Sequence, residues 1–176
     1  PVLADRHYGC DTHCGLIIVE SGALLLLDPG YLLFTPVAVP VQEPVSVETG
    51  HNRIELHPAA QGRRVDLYTC VKGNRKHRLT YRMEPVDAPT FARAWQRSFA
   101  WEMMTYPVLT RSCAGVHQYL QGNALRTRGG DSSSRSELAP EQEARFITTA
   151  FGIHPDVVRK ALEILRHGTS AAARPG

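Results

Sequence analysis

The sequence predicts an α+β chain, with short antiparallel strands forming a small barrel or curled sheet and helices gathered towards the end. Three observations carry this. Apolar runs of strand length recur through the first half, parted by Gly, Pro and Asn turns. The first helix start with a capping residue arrives only at Asp87-Ala88-Pro89-Thr90. Two more stretches of helical spacing follow Pro140 and Pro155.

The strongest local signal is the pair of runs Leu16-Ile17-Ile18-Val19-Glu20 and Ala23-Leu24-Leu25-Leu26-Leu27-Asp28 around Ser21-Gly22, which reads as a β-hairpin. With Ser21 and Gly22 as the loop, Glu20 faces Ala23, Gly15 faces Asp28 and His13 faces Gly30. Side chains alternate between faces, so His13 and Asp28 emerge on one face as diagonal neighbours. Such diagonals lie roughly 7–8 Å apart, within reach of an imidazole–carboxylate hydrogen bond. A carboxylate on one ring nitrogen fixes the tautomer and stabilises the imidazolium, as a general base beside a nucleophile requires. A structural histidine and a turn-forming aspartate before Pro29-Gly30 are the plainer reading of the same residues.

After the hairpin, Tyr31-Leu32-Leu33-Phe34 is an apolar patch, and Pro36, Pro40 and Pro44 make Val37 to Val47 an extended edge or loop. Strands are expected over Arg53 to His57, Val65 to Val71 and His77 to Met83. The basic cluster Lys72, Arg75, Lys76, His77 and Arg78 falls on a turn and reads as a solvated hairpin tip, with an anion site as the sharper option. In the helix after Asp87, Phe91, Trp95, Phe99 and Met103 form a stripe expected to face the core. Val108 to Val116 and Gln118 to Arg126 look like two strands, and Gly129 to Ser136 like a flexible polar linker. A helix from Pro140 ends at Phe151-Gly152-Ile153, and another runs from Pro155 to about His167 with Val158, Leu162 and Leu165 inward.

Bulk properties narrow the function. The 176 residues can bury a real core, with 43% hydrophobic and 21% charged residues. A net charge of +3 is too mild to argue for nucleic acid, and no aromatic RNA-recognition motif or basic helix accompanies it. No apolar run approaches membrane-spanning length, so no membrane partner is expected. The start, Pro1-Val2-Leu3-Ala4-Asp5-Arg6, has neither a signal-peptide pattern nor a Met, and reads as the middle of something longer. Cys10, Cys14, Cys70 and Cys113 make no disulfide framework, which favours a cytoplasmic location. His7, Cys10, His13 and Cys14 have zinc-ligand chemistry, but their spacing matches no common finger, so no metal is expected.

Thr12-His13 before an apolar strand, a Gly-containing turn, and a second strand ending in Asp28-x-Gly30-Tyr31 together resemble the middle of the arylamine N-acetyltransferases. Thr35 to Val41, Tyr81-Arg82-Met83 before Pro85, Leu120-Gln121-Gly122-Asn123-Ala124-Leu125 and Phe151-Gly152-Ile153 continue the likeness in order, from about Val2 to Ile153. The resemblance implies a cysteine-proteinase-like acetyltransferase fold: an N-terminal helical bundle, a β-barrel and an α/β lid. Here the barrel is expected over 1–86, the lid over 87–167 and a disordered tail over 168–176, with the bundle missing.

The resemblance also implies a function. A cysteine thiolate accepts an acetyl group from acetyl-CoA and passes it to an aromatic amine or hydrazine. His13 would activate that thiol, Asp28 would orient His13, and Tyr31, with Gly30 and Leu32, would line the acyl and amine pocket. The family's cysteine lies much further upstream than this chain reaches, and Cys10 and Cys14 have the wrong strand parity to replace it. The nucleophile is therefore expected on a separate or missing N-terminal segment, and the chain alone is not expected to turn over. The family commonly has Asp-Val-Gly-Phe-Gly where this chain has Asp28-Pro29-Gly30-Tyr31-Leu32. That departure raises a second expectation, an amide synthase that releases polyketide chains as macrolactams. A non-catalytic binding module is the third.

Overall fold

The computed structural model describes residues 1–172 except His7, Tyr8, Gly50, Lys72 and Asp131, with side chains of the last helix described as far as Arg166. The chain divides into two compact units, Pro1–Ser98 and Phe99–Gly176.

The first unit is an antiparallel sheet of eight strands, curled into a nearly closed barrel. In chain order these are β1 (Val2–Arg6), β2 (Gly9–Glu20), β3 (Ala23–Asp28), β4 (Leu33–Ala38), β5 (Val45–Glu48), β6 (Arg53–Ala59), β7 (Arg64–Val71) and β8 (Asn74–Arg82). Around the sheet the order is β4-β3-β2-β1-β8-β7-β6-β5, so β1 lies in the middle, between β2 and β8. Alternation along β6 and β7 buries Ile54, Leu56, Val65 and Leu67, and they pack with Val2, Ala4, Leu26, Leu79 and Tyr81. Each valine, leucine or isoleucine among them, withdrawn from water, contributes about 1.5–3 kcal/mol.

The β2–β3 register is the one the Ser21-Gly22 loop demands, with Glu20 opposite Ala23 and Leu16 opposite Leu27. The proline-punctuated stretch after it carries the edge strands β4 and β5. Edge positions tolerate proline because one row of backbone donors needs no partner in the sheet.

Helix α1 (Ala88–Ser98) starts where the Asp87 carboxylate accepts from the Thr90 backbone N–H at 2.8 Å. Its aromatic stripe departs from expectation: Trp95 is 60% exposed and Phe99, just beyond the helix, 53%. The buried residue of α1 is Ala94. Apolar periodicity identifies a face of a helix but not what covers it. A contact with β2, tied by Arg97 Nη2 donating to Asp11 Oδ2 at 2.8 Å, keeps α1 with the first unit, later than the boundary expected before residue 87.

The second unit holds a four-stranded meander, β9 (Val108–Cys113), β10 (Val116–Gln121), β11 (Ala124–Gly129) and β12 (Ser132–Glu137), in the order β12-β11-β10-β9. Two expectations are corrected here. The run Gln118 to Arg126 is not one strand but two, because Gly122 takes φ 58° and reverses the chain. The serine-rich stretch expected to be a linker forms β12, whose residues are all exposed. Strand pairing runs through backbone groups, so a polar edge strand needs no apolar pattern.

Helix α2 (Pro140–Phe151) ends where Gly152 takes φ 68°, and Ile147 packs with Leu120, Leu125, Val158 and Leu162. Helix α3 (Pro155–Ala172) runs into the segment expected to be a disordered tail, through Ala171 and Ala172, the strongest helix formers. The rest of that tail, 173–176, lies outside the described residues.

Candidate active site

The site sits on the barrel unit, where β1, β2, β3 and β8 run side by side. His13 Nε2 and Asp28 Oδ2 are 2.6 Å apart, the diagonal that the hairpin register predicts. Asp28 is 2% exposed, and the His13 side chain keeps 15% of its surface open. A buried carboxylate is costly unless its oxygens are satisfied. Here Oδ1 accepts the Gly30 backbone N–H at 3.0 Å, and Oδ2 accepts both His13 Nε2 and the Tyr81 hydroxyl.

Tyr81 joins the pair, a contact that sequence reasoning did not foresee. It is fully buried on β8 and reaches Asp28 because β1, which pairs Ala4 with both His13 and Tyr81, brings the two together. Burial first, then the charge of Asp28 and the bond to it, hold the Tyr81 phenol well above its ordinary value. Gly15 makes room for the ring, since a Cβ there would lie 3.1 Å from Tyr81 Cε1. The resemblance picks out Tyr81-Arg82-Met83 as a stretch, but nothing local in the sequence ties Tyr81 to Asp28, 53 residues away.

Arg6 makes the second such contact. Its Nη2 lies 3.0 Å from His13 Nδ1, and its guanidinium sits 5.6 Å from the Tyr31 ring centre. A register irregularity between Ala4 and Arg6 pairs Arg6 with Gly9, and Asp11 takes φ 56° beside it. The Asp11 carboxylate is in turn held by Arg82 and Arg97. An arginine has only donors, so Nδ1 accepts and the ring proton sits on Nε2, towards Asp28.

The short 3₁₀ turn Pro29–Tyr31 places the remaining predicted residues. Tyr31 meets His13 edge to face, with ring centres 5.2 Å apart. Gly30 is pressed against the pair, and a Cβ on it would lie 2.9 Å from His13 Cε1 and 3.1 Å from Asp28 Oδ1. Leu32 closes the turn at φ 65°, its N–H donating to the Pro29 carbonyl at 3.0 Å. Its described role is this backbone one, and no described contact joins it to His13.

The four cysteines are free thiols, and none hydrogen-bonds His13 among the described residues. Cys14 is exposed as a residue, yet desolvation of its thiol raises its pKa, and the charge of Asp28 adds to the rise. It faces Leu3 across the β1–β2 ladder while His13 faces Ala4, the opposite parity that its position predicts. His7 lies outside the described residues. Among the described residues no group of three His, Cys, Asp or Glu side chains is placed to hold a metal, and no helix is long and apolar enough to cross a membrane.

Two cavities, about 400 Å³ beside α2 and α3 and about 710 Å³ beside Leu24, Arg63, Arg64 and Arg82, include none of His13, Asp28 and Tyr31. The His13–Asp28 pair lies among β1, β2, β3 and β8, inside the edge strands β4 and β5 of the sheet. The pair can hold one imidazole nitrogen protonated and fixed while the other takes up or gives back a proton.

No model of a known protein family matches the chain, and no curated protein matches its sequence. Solved structures do. An arylamine N-acetyltransferase from Mycobacterium marinum, determined in complex with CoA, matches at TM-score 0.78 and 16% identity over 93% of this chain and 66% of its own. The M. tuberculosis arylamine N-acetyltransferase gives 0.75, 17%, 93% and 66%. One from Bacillus cereus, described with a Cys-His-Glu catalytic triad, gives 0.69, 15%, 86% and 64%. At such identities the likeness is one of fold, and it is the fold the sequence resemblance implies. The chain spans about two thirds of the length of these structures or slightly less.

Proposed function

We propose that this chain is the barrel-and-lid part of an acyltransferase of the arylamine N-acetyltransferase type, with the nucleophilic cysteine outside the residues present. The observation that carries the reading is the buried His13–Asp28 pair, 2.6 Å apart, on that fold. In the proposed cycle His13 Nδ1 takes the thiol proton, and the thiolate attacks the thioester carbonyl of acetyl-CoA. The C–S bond to CoA breaks, and CoA leaves carrying a proton returned by His13. An aromatic amine or hydrazine then attacks the acyl-cysteine, His13 removes the amine proton, and the amide leaves with the thiol restored. Asp28 stays ionised and stabilises the imidazolium in both halves. Tyr31, at the edge of the imidazole, is proposed to border the acyl and amine groups, with Gly30 and Leu32 shaping the turn beneath them.

Amide synthesis on the same machinery is favoured by one feature, the turn Asp28-Pro29-Gly30-Tyr31-Leu32. Proline stiffens it, and a leucine side chain stands at a left-handed position that suits glycine. Such a turn changes the room beside the acyl group and points to an acyl chain other than acetyl.

Intact-mass spectrometry on the longest product of the gene, before and after acetyl-CoA, tests the reading. An acetyl adduct mapping to a cysteine upstream of Pro1 is expected. A product that acylates only with longer acyl thioesters would favour the amide synthase. One that acylates with none would leave a binding module.

A further inference from the structure

Across the sheet, three neighbouring strands set Arg6, His13 and Asp28 in one row, from β1 through β2 to β3. Both imidazole nitrogens are engaged: Nε2 with Asp28 at 2.6 Å, Nδ1 with Arg6 at 3.0 Å. We infer that Arg6 is a latch on the proton-accepting nitrogen of His13, and that a thiol can be deprotonated there only after the guanidinium has let go.

The inference rests on the reading of His13 as proton carrier, and the exclusion it describes is one of valence. A nitrogen that takes the thiol proton forms an N–H bond with its lone pair as the S–H bond breaks. It then has no lone pair left to accept from Arg6, and an arginine can do nothing but donate. The latched state and the imidazolium state therefore cannot coexist.

The latch is built into the backbone. Ala4 faces His13 directly, so without the irregularity Arg6 would stand opposite Asp11. The displaced register sets it opposite Gly9 instead, while its guanidinium spans from Nδ1 to the face of Tyr31. Among the described residues the other groups facing the imidazole are Asp28, Tyr31 and Tyr81, and no described contact joins them to Nδ1. Arg6 thus acts as a positioning residue, holding the ring in the tautomer that suits Asp28 while withholding its base.

Carbethoxylation by diethyl pyrocarbonate tests this on the chain as it stands, because the reagent is attacked by a free imidazole lone pair. The rate at His13 is read by peptide mass spectrometry at constant pH, with the other histidines as internal standards. Arg6→Met, which keeps an aliphatic stem and removes the donor, is expected to speed modification of His13 about tenfold, with Arg6→Lys closer to wild type. Equal rates in wild type and Arg6→Met overturn the inference.

A second measurement needs no variant. The ¹⁵N shifts of His13 in the wild-type chain should show Nε2 protonated and Nδ1 as a hydrogen-bonded acceptor. A protonated or unbonded Nδ1 overturns the inference equally. Neither result bears on the acyl adduct, so a failed latch and a failed acyltransferase reading are separately visible.

Discussion

At the scale of single residues, the carboxylate of Asp28 sets the terms. It is buried and accepts from an imidazole, a phenol and a backbone amide. In an acylating form of the protein, Asp28→Asn should leave the fold intact and lower acyl transfer by about 10³–10⁴-fold, because an amide cannot stabilise the imidazolium. Wild-type rates from that variant would remove Asp28 from the proposed cycle. Tyr81→Phe makes a different kind of loss. It leaves a buried acceptor one donor short, and urea unfolding at neutral pH should register about 1–3 kcal/mol. The same variant has a pH signature with a fixed sign. The folded-state pKa of Tyr81 is raised above the unfolded value of 10.0, so its contribution is complete below that value and declines as pH rises through it. Wild-type stability should therefore fall more steeply above pH 10 than that of Tyr81→Phe. Parallel curves would mean that the phenol ionises freely.

At the scale of elements, the hairpin and the turn after it make the site. Ser21 and Gly22 carry φ of 49° and 81°, the left-handed pair a two-residue hairpin loop requires, and the register follows from them. That is why His13 and Asp28 were legible from the sequence, since the distance between them is a matter of counting along two strands. The 3₁₀ turn then presses Gly30 against both. Gly30→Ala puts a methyl carbon within 3 Å of the imidazole, and the ring or the turn must shift. Overpacking of this kind costs about 1–3 kcal/mol, and the expected result is a loss of acyl transfer larger than the loss of stability. Equal activity in Gly30→Ala and wild type would show that the pair tolerates displacement. What the elements hid from sequence reasoning shares one cause. Tyr81, Arg6 and the strand character of the serine-rich β12 all depend on which backbone lies alongside, and nothing local to them records it.

At the scale of the whole molecule, the order of elements was more legible than their environment. Strand runs, caps and glycine turns are local chemistry, so barrel strands, α1, α2 and α3 fall close to where the spacing puts them. Exposure is not local. The stripe from Phe91 to Met103 has the period of a core face, yet Trp95 stands mostly in solvent. Likewise the proposed chemistry needs a cysteine that the residues present do not bring to His13. In the proposed cycle this fold holds and moves a proton, and an acyl adduct would show what it acts on.

The central place of β1 in the barrel also dictates an order of events. β1 can meet β2 at once, but its other neighbour is β8, the last strand of that sheet in sequence. Contacts between distant segments form late because closing the intervening chain costs entropy. During folding, then, the β2–β3 hairpin can form with His13 and Asp28 already adjacent but still in water. The arrival of Tyr81 on β8 joins the two halves of the sheet over the carboxylate, so the pairing of β1 with β8 is also the step that desolvates the site.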